Sequence, residues 1–224
     1  MGLLSNAAAI LGKEVRTEFR SRELLSTTIV FVLIVIVLFS FTFDPTSIES
    51  RRFGPGLLWL AFLFAASLML QPCFLREQVN DTLSALRLAA SDPFAIFLAK
   101  IGANTLFLLL TELIMLPVFA AMFNVHFASQ LPGILLTFFL GSLGIATAGT
   151  ALAAISTQAK MRELLLPVLL LPVLSPILIA STEVTVWLMS PEPYIEWKGI
   201  GFLAVFDVVF LTALWLFGEY LLEE

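Results

Sequence analysis

Six long apolar runs, separated by polar connections, constrain this chain more than any other feature. Each run approaches or exceeds the roughly 20 residues that a helix needs to cross about 30 Å of hydrocarbon. The alternating pattern of a membrane β-barrel is absent, and only helices then satisfy the backbone in lipid. The sequence therefore predicts an all-α polytopic membrane protein with six transmembrane helices, near residues 24–43, 55–75, 101–123, 131–157, 164–182 and 200–222.

The composition agrees with a membrane protein, because 59% of the residues are hydrophobic and only 13% are charged. In soluble domains about a quarter of the residues are charged. The chain has one cysteine, Cys73, and one histidine, His126, so it excludes an internal disulfide and any metal or heme site that needs several imidazoles. The sequence has no long basic patch that would indicate binding to nucleic acid. We expect one transmembrane domain over residues 1–224, with no metal site.

The distribution of lysine and arginine indicates the orientation. Of the 12 basic residues, nine lie in the N-terminal segment and in the second-to-third and fourth-to-fifth connections, whereas Arg51, Arg52 and Lys198 lie on the opposite side. This predicts that both termini are cytoplasmic. The first apolar run follows basic residues but lacks a small-residue cleavage site, so we expect it to be retained rather than removed as a signal peptide.

Residues 1–23 form an amphipathic pattern. One helical face carries Ala8, Leu11, Val15 and Phe19. Another face carries Lys13, Arg16 and Arg20. This arrangement predicts an interfacial helix that lies in the membrane surface. It would be either an anchor that orients the first span or an elbow helix that also contacts a cytoplasmic partner.

The connection between the second and third runs has about 25 residues, although two to eight suffice for a plain connector. Alternating apolar and polar faces predict a short cytoplasmic helix within it. Ser91 or Asp92 would then cap a second helix that begins at Pro93. We expect Lys100, further along that helix, to extend toward the lipid headgroups. The short helix is either a second interfacial helix or a surface that docks in a groove on a soluble protein.

Two acidic residues within the apolar runs are candidates for a functional role. Glu112 lies near the middle of the third run and Asp207 in the outer third of the sixth. Since no run contains a lysine or arginine, we expect Glu112 to be protonated, bonded to a polar neighbour, or facing a partner chain. For Glu112 a functional role and a structural role are equally supported. For Asp207 the sequence favours a structural role.

Proline and glycine mark two of the runs. Pro167, Pro172 and Pro176 each remove a backbone donor from the fifth run and predict a kinked helix. Such a helix either lines a transport path or serves packing. The fourth run is rich in small residues, including Gly141, Gly144 and Gly149, which predicts close contact between helices.

The sequence contains no GxxxxGK[ST], HExxH or GxSxG motif. We therefore expect no catalytic residue. If the protein uses ATP, the ATP site is expected in another chain.

In their order and spacing, these features resemble the permease subunits of ABC exporters of the second type. More narrowly, the chain resembles the heme exporter protein B family (CcmB). The stretches that carry the resemblance are GPGLLWLAFLFAASLML at 54–70, FLREQVNDTLSALRLAASDPFAIFLAK at 74–100, GSLGIATAGTALAAI at 141–155 and LLLPVLLLPVLSPILIA at 164–180. The order and spacing of these stretches, with the length of the chain, extend the resemblance over nearly the whole sequence.

The resemblance implies that the long cytoplasmic connection, residues 76–100, contains a coupling helix that inserts into a groove of an ATPase. Its contact residues would be Arg76, Glu77, Asp81, Leu83, Leu86 and Arg87. The chain would be the permease subunit of an ABC-type complex that exports or releases heme for cytochrome c biogenesis, in a bacterial-type inner membrane.

The resemblance also implies the partners. These are a cytoplasmic ABC ATPase subunit that binds ATP, a membrane subunit that handles heme, and a second copy of the permease. Heme would be the substrate of the complex, and this chain would hold no cofactor itself. Two other functions remain open: an ion-coupled secondary carrier that uses Glu112 and Asp207, and a membrane scaffold without transport activity.

Overall fold

The computed structural model describes residues 2–42, 48–75, 77, 92–123, 130–156, 162–190 and 192–222, without the side chains of 48–52, 162–164 and 222. Every regular element in these ranges is an α-helix. The helices are α1 (Leu3–Ser21), α2 (Glu23–Thr42), α3 (Ile48–Leu70), α4 (Pro93–Phe123), α5 (Leu131–Ser156), α6 (Arg162–Leu188) and α7 (Trp197–Leu222). Six of them, α2 to α7, are long and apolar enough to cross a membrane, which confirms the predicted fold class.

A sharp turn joins α1 to α2. Arg22 adopts a left-handed backbone conformation with φ of 56°, and its N–H donates to the carbonyl of Glu18. The Glu18 side chain is buried, and its carboxylate accepts a hydrogen bond of 3.0 Å from the N–H of Leu25. This N–H lies in the first turn of α2, where no backbone acceptor within the helix is available. Glu18 therefore caps the neighbouring helix across the turn.

The helix α4 begins at the predicted residue, with one of its two predicted caps. Pro93 is its first residue, and Asp92 Oδ1 accepts a hydrogen bond of 2.9 Å from the N–H of Phe94. The helix has 31 residues, so it is about 46 Å long, longer than the roughly 30 Å of hydrocarbon. Part of α4 must therefore extend beyond the apolar layer.

The small residues of α5 allow neighbouring helices to approach closely. A Cβ atom on Gly144 would lie 2.6 Å from Ile177 of α6 and 2.7 Å from a carboxylate oxygen of Asp207 on α7. A Cβ on Gly141 would overlap Trp59, and one on Gly149 would overlap Leu70, both of α3. The helix α5 also packs on α4, so it lies at the centre of the bundle.

The prolines of the fifth run lie within one continuous helix, α6. Pro176 deprives the carbonyl of Pro172 of its backbone donor. The hydroxyl of Ser175 donates to that same carbonyl over 2.9 Å. A neighbouring side chain thus compensates one of the three interruptions, as helices in lipid require.

Candidate functional site

A cluster of charged side chains lies where the chain leaves α3 and approaches the predicted coupling segment. We call it the Glu77 cluster, and it consists of Lys13, Glu14, Glu77 and Lys100. These residues come from three parts of the chain: α1, the stretch that follows α3, and α4. Of the predicted coupling residues only Glu77 lies in the described ranges; Arg76, Asp81, Leu83, Leu86 and Arg87 lie outside them.

Local structure explains how these side chains meet. The cap at Asp92 fixes the start of α4, so Lys100 follows two turns later. The helix α1 packs along α4: a Cβ on Gly102 would meet Leu11 at 3.5 Å, and the rings of Phe19 and Phe107 lie edge to face at 6.4 Å. This packing brings Lys13 and Glu14 beside Lys100.

Glu77 bridges two lysines from different helices. Its Oε2 lies 3.1 Å from Lys100 Nζ, and its Oε1 lies 3.1 Å from Lys13 Nζ. Glu14 lies 3.4 Å from the Lys100 ammonium and 3.2 Å from that of Lys13. Two carboxylates and two ammonium groups thus alternate, which balances the charge of the cluster.

Burial makes these interactions unequal. The Lys100 and Glu77 side chains are 2% and 4% exposed, whereas Lys13 is 52% exposed. The Lys100 ammonium also donates to the carbonyl of Cys73 and lies 4.9 Å from the centre of the Phe74 ring. The expectation that Lys100 extends to the lipid headgroups is therefore wrong, because this lysine is enclosed by acceptors.

Two groups of the stretch after α3 have shifted acidities. Burial raises the pKa of Glu77, but the ammonium groups of Lys100 and Lys13 outweigh burial and hold this pKa below its ordinary value. Burial raises the pKa of the Cys73 thiol, and the opposing effects of Lys100 and Asn104 are smaller. Glu77 is thus anionic and Cys73 a neutral thiol at neutral pH.

A polar link continues from the cluster into the bundle. Asn104 of α4 donates to the hydroxyl of Thr150 on α5 over 3.2 Å and contacts the sulfur of Cys73 at 3.5 Å. A small cavity of about 30 Å³, lined in part by Glu14, Lys100 and Asn104, adjoins the cluster. It has room for about one water molecule beside polar partners. The cluster therefore connects α1, α4 and α5 to the root of the predicted coupling segment.

The two intramembrane acids lie apart from this cluster. Glu112 is buried in α4 and accepts a hydrogen bond of 2.7 Å from Ser142 of α5, one of the three arrangements expected for it. Asp207 is 3% exposed, and within the described ranges neither of its carboxylate oxygens has a hydrogen-bond partner.

The other predicted site residues are distributed around the bundle. Arg16 and Arg20 are exposed on α1, and the interfacial position of this helix stays a prediction. The prolines lie in α6. His126 lies outside the described residues. In the described ranges, no group of three or more His, Cys, Asp or Glu side chains could hold a metal ion.

Sequence reasoning missed the roles of Glu14 and Lys100. The signal was present, because Lys100 follows seven mostly apolar residues of a helix and precedes another apolar stretch. A lysine in such a position needs a carboxylate partner. The partners, however, are 23 and 86 residues away in the sequence, and no local pattern identifies them.

Comparisons with known proteins extend over most of the chain. The model of the family described as "CcmB protein" matches residues 5–215. Heme exporter protein B of Pseudomonas aeruginosa is 34% identical over 174 residues, which cover 77% of each chain. The protein of the same name from Rhodobacter capsulatus is 29% identical over 78% of this chain and 80% of its own length. Heme exporter protein B of Bradyrhizobium diazoefficiens is 27% identical over 82% of this chain and 84% of its own length.

Proposed function

The chain belongs to the CcmB protein family, and from this membership we propose that it is the permease subunit of an ATP-driven heme export or heme release complex for cytochrome c biogenesis. The multi-pass fold fits a subunit that acts within the membrane. The named relatives are heme exporters. In this proposal the chain is not an enzyme, lies in a bacterial-type inner membrane with both termini in the cytoplasm, and acts as a single permease domain.

The Glu77 cluster carries the mechanistic part of the proposal. A partner ATPase that binds the segment after Glu77 would pull on the root of that segment. Because Glu77 is ionically bonded to Lys13 of α1 and Lys100 of α4, such a force would reach two helices at once. Both ion pairs are short, and the Lys100 pair is buried, so it is shielded from competing solvent. The cluster would therefore transmit motion from the cytoplasmic side into the bundle.

Copurification tests the ATPase partner. The full chain is isolated from its native membranes in mild detergent, and ATP hydrolysis and the copurified subunits are measured. We expect deletion of residues 78–90, or reversal of charge at Arg76 and Arg87, to remove an ABC ATPase. The matched control reverses charge at Arg51 and Arg52, which the charge distribution places on the opposite side. Retention of the ATPase after the deletion, or its equal loss in the control, would contradict the proposal.

Heme handling needs its own measurement. With the complex reconstituted in vesicles, we expect ATP to cause the release of heme to an acceptor protein at the extracytoplasmic face. The absorbance of the heme measures this release. The Glu77→Gln variant should retain the bound ATPase but couple hydrolysis to heme release less efficiently. Unchanged coupling in that variant would argue against the role of the Glu77 cluster, while leaving the permease assignment intact.

The burial of Asp207 and Glu112 favours one competing function, an ion-coupled carrier. Each has at least one carboxylate oxygen without a hydrogen-bond partner in the described part of the chain. Replacement of Glu112 by glutamine distinguishes the two functions, because glutamine still accepts from Ser142 but cannot bind a proton. A carrier would lose transport, whereas an ATP-driven permease would keep it.

A further inference from the structure

An open groove of about 400 Å³ lies between the last turns of α6 and the first turns of α7. Its volume is in the range of ligand pockets, roughly 300–1,000 Å³. This end of the bundle is the one that the charge distribution predicts to be extracytoplasmic. The groove is distant in sequence from the Glu77 cluster and does not depend on the function proposed above.

The walls of the groove are apolar and face outward. Ile179 is 68% exposed and Phe202 is 47% exposed, although both are large hydrophobic residues. The small side chain of Ala180 also lines the groove, next to the point where Gly199 lets α7 approach Val184 of α6. In a bilayer such open apolar walls contact lipid chains, so the groove is accessible from the membrane.

The mouth of the groove is charged. Glu183 and Lys198 are exposed there, and neither has an ion-pair partner among the described residues. Glu196 also lines the mouth, and its carboxylate accepts a hydrogen bond from the N–H of Gly199 in the first turn of α7. The mouth therefore presents two carboxylates and one ammonium group.

Aromatic side chains locate this mouth relative to the bilayer. Trp187 and Trp197 are 40% and 67% exposed and flank the same end of α6 and α7. Tryptophan is enriched at the level of the lipid headgroups. The charged mouth thus lies at headgroup depth and the apolar walls extend toward the acyl chains.

We propose that this groove binds one phospholipid with a primary amine headgroup, such as phosphatidylethanolamine, from the extracytoplasmic leaflet. The ammonium of the lipid pairs with Glu183, its phosphate pairs with Lys198, and an acyl chain lies against Ile179 and Phe202. Two acids and one base match a zwitterionic headgroup better than an anionic one. The same charges disfavour heme, since its propionates would meet the acids and the groove lining offers no histidine, methionine, cysteine or tyrosine for iron.

The test uses the purified full chain in nanodiscs that contain equal amounts of phosphatidylethanolamine and phosphatidylcholine. Mild detergent removes loosely bound lipid, and native mass spectrometry counts what remains. Phosphatidylcholine is the matched ligand control, because its three methyl groups prevent hydrogen bonds to Glu183. We expect about a fivefold preference for phosphatidylethanolamine, because choline is also a cation and only the hydrogen bonds from the primary ammonium differ.

Two variants separate headgroup recognition from groove occupancy. Glu183→Gln should abolish the preference, whereas Glu192→Gln, an exposed acid outside the groove lining, should leave it unchanged. Ala180→Phe should fill the groove and remove both lipids; if that variant does not fold, Glu183→Gln alone decides. Equal retention of the two lipids by the unmodified chain would overturn the proposal. So would a photoreactive amino acid at position 179 that crosslinks to a protein helix instead of lipid.

Discussion

Replacement of Glu77 by glutamine is the most informative perturbation of this structure. Glutamine keeps the size and a carbonyl oxygen but removes the charge that balances Lys100. The Lys100 ammonium is then left in a site where only 2% of its side chain is exposed. The consequence should be a loss of stability that is much larger than for any exposed charge of α1.

The magnitude follows from burial and distance. At 3.1 Å and an effective dielectric constant of about 20, the attraction between Glu77 and Lys100 is about 5 kcal/mol before solvation costs. Removing one partner of a buried pair costs about 3–5 kcal/mol. Glu14, at 3.4 Å from Lys100, remains as an acceptor, so we expect the low end, about 3 kcal/mol. Lys13 is half exposed, and Lys13→Gln should cost only about 0–1 kcal/mol.

Thermal unfolding in mild detergent measures these effects, with the monodisperse size-exclusion peak as the signal. We expect Tm to fall by about 6–12 °C for Glu77→Gln and by at most a few degrees for the matched control Lys13→Gln. Adding Lys100→Met to Glu77→Gln should restore part of the loss, because the uncompensated charge is gone. The reasoning is refuted if the double variant is no more stable than Glu77→Gln, or if both single variants lower Tm equally.

The pH dependence provides an independent check. The folded pKa of Glu77 is lowered, so its contribution to stability is complete above the ordinary glutamate value, about 4.3. This contribution is lost as the pH falls through the lower, folded pKa. The difference in Tm between the unmodified chain and Glu77→Gln should therefore be constant between about pH 6 and 8 and decrease below about pH 4.3.

Four other expectations concern single sites. Asp92→Ala removes the cap of α4 and should cost about 0.5–2 kcal/mol in detergent unfolding. Glu112→Gln should be nearly neutral in the same assay, whereas Glu112→Ala leaves the buried hydroxyl of Ser142 without its acceptor and should cost about 1–3 kcal/mol. Gly144→Ala introduces a methyl group into close contacts, and a loss of about 1–3 kcal/mol in thermal unfolding is expected. Cys73 should react slowly with maleimide at pH 7 in the folded protein and rapidly after unfolding, because burial raises its pKa.

Length, apolar character and turn chemistry were sufficient to predict the helices and some of their ends. The apolar runs gave six spans, and Asp92 with Pro93 located the start of α4 because capping depends on neighbouring residues only. The end of α6 was predicted six residues too early, since the helix continues through Thr182 and Glu183 to Leu188. Polar residues at a membrane boundary remain compatible with a helix, so hydrophobicity alone does not mark its end.

The Glu77 cluster was beyond sequence reasoning for a different reason. The sequence predicts that Lys100 extends to the headgroups, because a lysine near the end of a span usually does so. Glu14 becomes its neighbour only when α1 packs on α4, and Glu77 only when the stretch after α3 meets α4, so both contacts are tertiary. The environment of Glu112 is easier to predict. Since no span contains a basic residue, a polar neighbour is one of the few partners possible, and the hydroxyl of Ser142 is that partner.

The carboxylate of Glu18, which accepts from Leu25 beyond the turn at Arg22, has a consequence for protein engineering. The N-terminal helix cannot be exchanged for a generic amphipathic peptide of equal hydrophobicity. Such a graft would keep affinity for the bilayer, yet it would strip the first span of its cap and deprive Lys100 of Glu14. A chimera that transplants only Glu14 and Glu18 into the foreign helix should recover both bonds, provided that the turn at Arg22 is retained.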